Sequence, residues 1–291
     1  MACRSASQPL AIALLGCVLA GCVGHGERGS YGLPNSGLLR GGEALRVRGT
    51  GFMLARPTDP TRFGNATLLG ALERAFASVE RRFPGTPPMR VGDLSYRSGG
   101  KHVRHGSHRS GRDADVIFHA VDAAGVPVQG SGFLAYDRFG VARAPSSPDA
   151  PAHTAQPVVL DVARNWHFVR TLLLDEASLT QWIFCSSGVK AQLLAYAAEH
   201  EPEAEAIMRA ATVLHQPSEG RPHDDHFHIR VLCTAAERAA GCTEYGPVWP
   251  WLRDRVESVG PGDPEPLDDR TLVRLLLEDL PNAPAEPVAL R

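Results

Sequence analysis

The chain has 291 residues, 43% hydrophobic and 21% charged, which excludes wholesale disorder and fits one or two domains. Its formal net charge is −2 and its only lysines are Lys101 and Lys190, so it has no lysine-rich patch to track phosphates, and no nucleic-acid partner is expected. No apolar run reaches the ~18 residues of a membrane-spanning helix.

Residues 1–21 read as an export signal, with Arg4 ahead of an apolar core from Leu10 to Ala20. Leu19-Ala20-Gly21-Cys22 resembles a bacterial lipobox. That resemblance implies lipid on Cys22 and hence a membrane anchor. Because no Asp follows Cys22, it also implies an outer-membrane lipoprotein in the periplasm. Residues 22–37, rich in Gly, Ser and Pro, read as a tether to a domain over 38–255. Within the domain, residues 44–54 suit a hairpin around Gly49. Leu68, Leu69, Leu72, Phe76 and Val79 set a helix over Thr67–Phe83. Alternation predicts a strand over Asp113–His119, the apolar run Trp182–Cys185 reads as a strand over Gln181–Cys185, and Phe227–Leu232 reads as another. Further helices are expected over Val162–Glu176 and Val189–Glu199, and Ala123–Pro157 reads as a surface excursion. Residues 256–291 read as a linker and a C-terminal helix over Leu267–Leu280.

Cys3 and Cys17 leave with the signal, and Cys22 carries the lipid, so Cys185, Cys233 and Cys242 remain. Cys233 and Cys242 flank a short loop containing Gly241 and are expected to pair. Cys185 sits in an apolar run and is expected to be a buried free thiol.

Of 12 histidines, His102, His105, His108 and His119 fall in one short window, and His215, His223, His226 and His228 in another. Such clustering with Asp is the composition of a metal site. In the first window Asp113 and Asp115 share one strand face while Ala114, Val116 and Phe118 share the other. Gly111 lets the preceding loop fold back, bringing His108 toward Asp115. In the second, His226 and His228 share a face while Phe227 and Ile229 point to the core. HExxH is absent; one His, one Asp and one strand-borne His offer three ligands, the number a catalytic zinc keeps beside an open water position.

The pattern His108-x6-Asp115 with His226-x-His228 resembles the LAS metallopeptidases. A longer resemblance is to the penicillin-insensitive murein endopeptidase family. It runs through Ser30-Tyr31, Ser36-Gly37, Arg62-Phe63-Gly64, Gly92-Asp93, Gly99-Gly100 and His105-x2-His108-x2-Gly111-x-Asp113-x-Asp115. It ends in His223-x2-His226-x-His228-x-Arg230 and Cys233. It implies Zn2+ held by His108, Asp115 and His228, with His105 as a fourth ligand and His226 and His223 as catalytic histidines. It also implies peptidoglycan as substrate, cut at D-alanyl–meso-diaminopimelate cross-bridges. The expected fold is α+β: a small central antiparallel sheet carrying the zinc site, flanked by helices and long loops. The competing readings are a D,D-carboxypeptidase or dipeptidase on stem peptides, and a non-catalytic zinc-bearing cell-wall binding module. Arg104, Arg109, Arg112 and Arg221 flank the motifs as candidate carboxylate forks.

Two other chemistries fail. Ser98-x2-Lys101 and Ser187-x2-Lys190 match the serine acyl-enzyme motif, but the partner Lys-Thr-Gly is absent. Apolar neighbours raise a thiol pKa, so Cys185 makes a poor nucleophile.

Overall fold

The computed structural model describes residues 28–129, 132–145, 154–217 and 221–257. Along the chain, β1 (Gly29–Tyr31) and β2 (Leu38–Arg40) form a hairpin. Then come β3 (Glu43–Ala44), β4 (Arg48–Gly49), β5 (Phe52–Leu54) and β6 (Phe63–Gly64), followed by α1 (Ala66–Arg82) and β7 (Met89–Val91). β8 (Asp113–Ile117) precedes the short strands β9 (Ala120–Val121), β10 (Pro127–Val128), β11 (Val141–Ala144) and β12 (Gln156–Leu160). The second half holds α2 (Val162–Leu174), β13 (Thr180–Phe184), α3 (Ser187–His200), α4 (Ala204–Val213), β14 (Leu214–His215), β15 (His226–Val231), α5 (Ala235–Ala239) and α6 (Arg253–Val256).

The main sheet has seven strands in the order β14-β13-β15-β8-β7-β5-β4. Its centre, β13-β15-β8-β7, is antiparallel as expected, but β14 and β5 add parallel pairs on either side. The sheet is thus larger and more mixed than the sequence suggests. Helices are set by local caps: Asn65 accepts the Leu68 N–H at 2.9 Å, and Asp161 and Ser186 open α2 and α3 in the same way. α1 buries Leu68, Leu72, Ala75, Phe76 and Val79; α2 buries Trp166, Phe168, Val169 and Leu172. Phe76 stacks on Phe168 at 5.3 Å, Phe168 on Phe227 at 6.1 Å, and Phe227 meets Phe118 edge-on at 4.6 Å. This aromatic column joins α1 and α2 to the back of β15.

Three regions differ from expectation. Residues 28–37 of the expected tether are structured: β1 pairs with β2, and Ser30 is fully buried. The excursion contributes β10 and β11 to a second sheet, β10-β9-β12-β11, whose other strands lie at its two ends. α4 forms where no helix was expected. The C-terminal helix over 267–280 and the signal lie outside the described residues. Among the described residues, no helix is long and apolar enough to cross a membrane.

Because Phe227 faces the helices, Phe227→Ala should leave a cavity and cost roughly 3–5 kcal/mol of stability. Denaturant unfolding measures the loss, and metal bound per folded molecule should stay unchanged.

Candidate metal centre

Strand register assembles the site. In the β15–β8 pair His228 lies opposite Asp115, and Arg230 opposite Asp113. Alternation sends Phe227, Ile229, Ala114 and Val116 into the core, each with no exposure. The opposite face therefore carries Asp113, Asp115, His226, His228 and Arg230. The loop before β8 folds back as Gly111 allows: its φ is 78°, and a Cβ there would meet Leu39 at 2.7 Å. The Ser95 hydroxyl donates to the His108 carbonyl at 2.6 Å and accepts the Gly111 N–H at 2.9 Å. Two site histidines, His108 (φ 61°) and His223 (φ 51°), occupy the left-handed region that non-glycine residues rarely adopt. Such strain is held where the surroundings over-determine a side-chain position.

Three imidazole nitrogens surround one oxygen, Asp115 Oδ1: His108 Nε2 at 3.3 Å, His226 Nε2 at 3.3 Å and His228 Nδ1 at 3.6 Å. His105 Nε2 lies 3.4 Å from Asp115 Oδ2. Ligand atoms about 2.0–2.2 Å from a tetrahedral zinc stand about 3.3–3.5 Å from one another, so these separations fit a shared cation. The hydrogen-bond accounts agree. Both nitrogens of His108 and both oxygens of Asp115 are buried without a hydrogen-bond partner, as is Nδ1 of His223. A bare buried carboxylate beside a bare buried imidazole is costly unless something binds both. Two clusters, His105/His108/Asp115 and His223/His226/His228, can each hold a metal ion, and Asp115 Oδ1 joins them into one centre.

Charge in the site is organised around Asp115. Burial alone would raise its pKa, but His108, His226 and His105 hold it well below the usual carboxylate range. Burial would lower His226; Asp115 and Asp225 overcome this and raise it to about 10. His108 is also raised, Asp115 outweighing its complete burial. His223 goes the other way, pushed to about 3 by burial and then by the neighbouring His228 and His226. Behind the centre, His228 Nε2 donates to Asp113 Oδ1 at 2.9 Å, and Arg230 Nε donates to the same oxygen at 2.6 Å. The buried Asp113 thereby turns His228 so that Nδ1 faces Asp115.

All six residues singled out from the sequence meet here: His105, His108, Asp115, His223, His226 and His228. His105 Nε2 is shared with Asp93 Oδ2 at 2.9 Å. His102 packs behind, 4.8 Å from the His105 ring, whereas His119 is buried beside α2 and His215 lies beside Trp182. Two candidate carboxylate forks are structural instead. Arg104 is committed to Asp93, Asp59 and Thr61, and Arg112 is buried on the carbonyls of Gly32 and Thr243. Sequence reasoning gave no role to Asp93 or Asp225, which hold His105 and His226. Asp225 stood inside the His223–His228 window and was legible there; Asp93 appeared only within a motif.

The rejected chemistries stay rejected. Cys185 is buried, and burial pushes its thiol to about 12. Lys190 bonds the carbonyls of Ala211 and Leu214 at 2.7 and 2.6 Å, while Ser187 donates to Gln216. The Cys233–Cys242 disulfide is present as expected.

Residues 30–132 match the family model described as penicillin-insensitive murein endopeptidase. Over these residues the chain is similar to that family. It is 26% identical over 227 residues to the penicillin-insensitive murein endopeptidase of Haemophilus influenzae, covering 77% of this chain and 69% of the relative. It is 30% identical over 93 residues to the protein of that name from Klebsiella pneumoniae, covering 32% of this chain and 33% of the relative.

Removing the orienting carboxylate tests the supporting shell. Asp113→Asn should weaken metal affinity by about 10–100-fold, while Asp115→Ala should abolish stoichiometric binding. Competition with a chromophoric chelator on the two purified variants measures both.

Proposed function

We propose that the chain is a zinc-dependent murein endopeptidase that hydrolyses D-alanyl–meso-diaminopimelate cross-bridges of peptidoglycan. The observation that carries this reading is the convergence of His108 and Asp115 atoms, buried without hydrogen-bond partners, with His228 around Asp115 Oδ1, in a chain similar to this family. His108, Asp115 and His228 would hold the metal, with His105 as the fourth ligand. When bound, zinc polarises a carbonyl and lowers the pKa of a water toward about 7.

The other residues move and hold protons. Asp225 bonds Nδ1 of His226, leaving Nε2 toward the centre. That hold lies away from the metal-facing nitrogen and so survives metal binding. It favours a protonated His226, suited to donate to a developing oxyanion. His223 is held neutral by burial and by the neighbouring His228 and His226, and its buried Nδ1 has no protein partner, which suits it to accept a hydrogen bond from the attacking water rather than to carry a charge. No serine takes part in this chemistry, and β-lactams act by acylating one, so penicillin should not inhibit.

Purified protein should cleave cross-linked muropeptides, lose activity to a strong zinc chelator, regain it with zinc, and ignore a β-lactam. Mass spectrometry of the products separates cross-bridge cleavage from stem trimming. Release of terminal D-alanine alone would assign a carboxypeptidase instead, and metal binding without cleavage a binding module. His228→Ala should lose zinc and activity together. His226→Ala should keep near one zinc per chain while turnover falls about 10²-fold or more. If His226→Ala loses zinc equally, His226 is itself a ligand.

We further propose that the protein is an outer-membrane lipoprotein anchored in the periplasm through Cys22. Cys22→Ser in the precursor should abolish lipid labelling and membrane fractionation; unchanged labelling overturns the anchor. A lipoprotein carries more than one acyl chain, so anchoring should be stable.

A further inference from the structure

Beside the metal centre lies an arginine whose hydrogen-bonding capacity is not used up. Arg56 donates through Nη1 to Asp93 Oδ2 at 3.2 Å, and its guanidinium lies over the Phe133 ring at 5.2 Å. Its side chain is 38% exposed, against 3% for Asp93. Asp93 is shared: Arg104 makes closer bonds to it, at 2.6 and 2.8 Å, and His105 takes 2.9 Å. Arg56 is therefore its least committed partner. Nε and Nη2 of Arg56 have no protein acceptor among the described residues. Arg104, Arg112 and Arg230 have theirs within the fold.

Phe133 ties this arginine to the reacting groups. Its ring meets His226 edge-on at 5.2 Å, so one aromatic separates the guanidinium from the proposed catalytic imidazole. Gly92 makes the approach possible: a Cβ there would stand 2.6 Å from Phe133 Cζ and 3.2 Å from Asp115 Cβ. The same segment is pinned to the second histidine window, since the Tyr136 N–H donates to the Asp224 carbonyl at 2.9 Å. Phe133 stands just past residue 132, where the match to the family model ends. The expected surface excursion thus reaches into the centre.

We propose that Arg56, backed by Phe133, is a specificity subsite for a carboxylate on the carbon that bears the leaving nitrogen of the scissile amide. The inference rests on the murein reading above. In a D-alanyl–diaminopimelate cross-bridge that carbon carries a free carboxylate. An aromatic face under the guanidinium leaves the planar N–H edge for a forked carboxylate. Because the bond is made in ground and transition states alike, it acts on KM rather than on kcat.

The test uses two cross-linked muropeptides that differ only in this carboxylate, free in one and amidated in the other. Zinc-loaded wild type, Arg56→Gln, Arg56→Lys and Phe133→Leu are compared, with zinc per chain measured for each. Calorimetry on the metal-free proteins then measures binding of the free and amidated diaminopimelate-ended product peptides. Wild type should prefer the free carboxylate by about 10–100-fold, expressed in KM. Arg56→Gln should cut the preference to about 2-fold while keeping its zinc, and Arg56→Lys should retain part of it. Phe133→Leu should fall between wild type and Arg56→Gln. Equal cleavage of both peptides by wild type, or an undiminished preference in Arg56→Gln, overturns the subsite. Cleavage of neither peptide by wild type overturns the murein reading, and the binding comparison still decides the role of Arg56.

Discussion

The antiparallel register of β8 and β15 is the constraint on which the site depends. It places two buried carboxylates on one sheet face and gives them opposite treatment. Asp113 is matched from within the chain, by Arg230 and by the ring N–H of His228. Asp115 has no hydrogen-bond partner and no arginine; around it stand only imidazoles, which carry charge conditionally. A buried carboxylate left to protonatable neighbours is the environment that a cation completes. Slipping the register by one residue would turn Asp115 into the core and Val116 toward the histidines, destroying the centre and the aromatic column together.

The register is held from both sides. Beneath the sheet, Phe227 anchors β15 to α2 through Phe168. At the start of β8, Arg112 crosses to the carbonyls of Gly32 and Thr243, joining the strand to the N-terminal hairpin and the disulfide loop. Glu237 completes the knot. Its Oε1 accepts from the Ser30 N–H and the Asn65 amide, and its Oε2 from the Thr234 N–H. One carboxylate thereby caps α5, supports the residue that caps α1, and fastens β1. Residues expected to be a tether are drawn into the fold because their orphan backbone and hydroxyl groups are satisfied only here.

Periodicity explains what was legible. β8 and β15 alternate over five or six residues, β13 is a short apolar run, and α1 and α2 carry wide apolar stripes. Each announces itself locally. α4 does not: it buries Ala206, Arg209, Ala210 and Val213, a face of small side chains and one arginine. Strands β9 to β12 are two to five residues long, and β10 and β12 contain proline, so their pairing is a tertiary outcome rather than a pattern. The histidine windows were legible because chemistry clustered in sequence. Arg56 and Phe133 were not: each is a single residue far along the chain from its partner, brought together only by the closing of the excursion over Gly92.

Among the three histidines nearest Asp115 Oδ1, the proposed division of labour follows from depth rather than distance. His108, His226 and His228 are almost equally near Asp115 Oδ1, so separation alone gives them equal standing. Their surroundings differ. The His108 side chain is 0% exposed, and His228, 8% exposed, leans on the fully buried Asp113. His226 is 13% exposed and leans on Asp225, itself 27% exposed at the rim. A ligand gains from rigid, buried support, because its geometry must be fixed before the metal arrives. A proton carrier gains from the rim, where substrate enters and solvent can restore its charge. On that criterion the two histidines of β15, two residues apart on one face, sit on opposite sides of the boundary between holding the metal and serving the substrate.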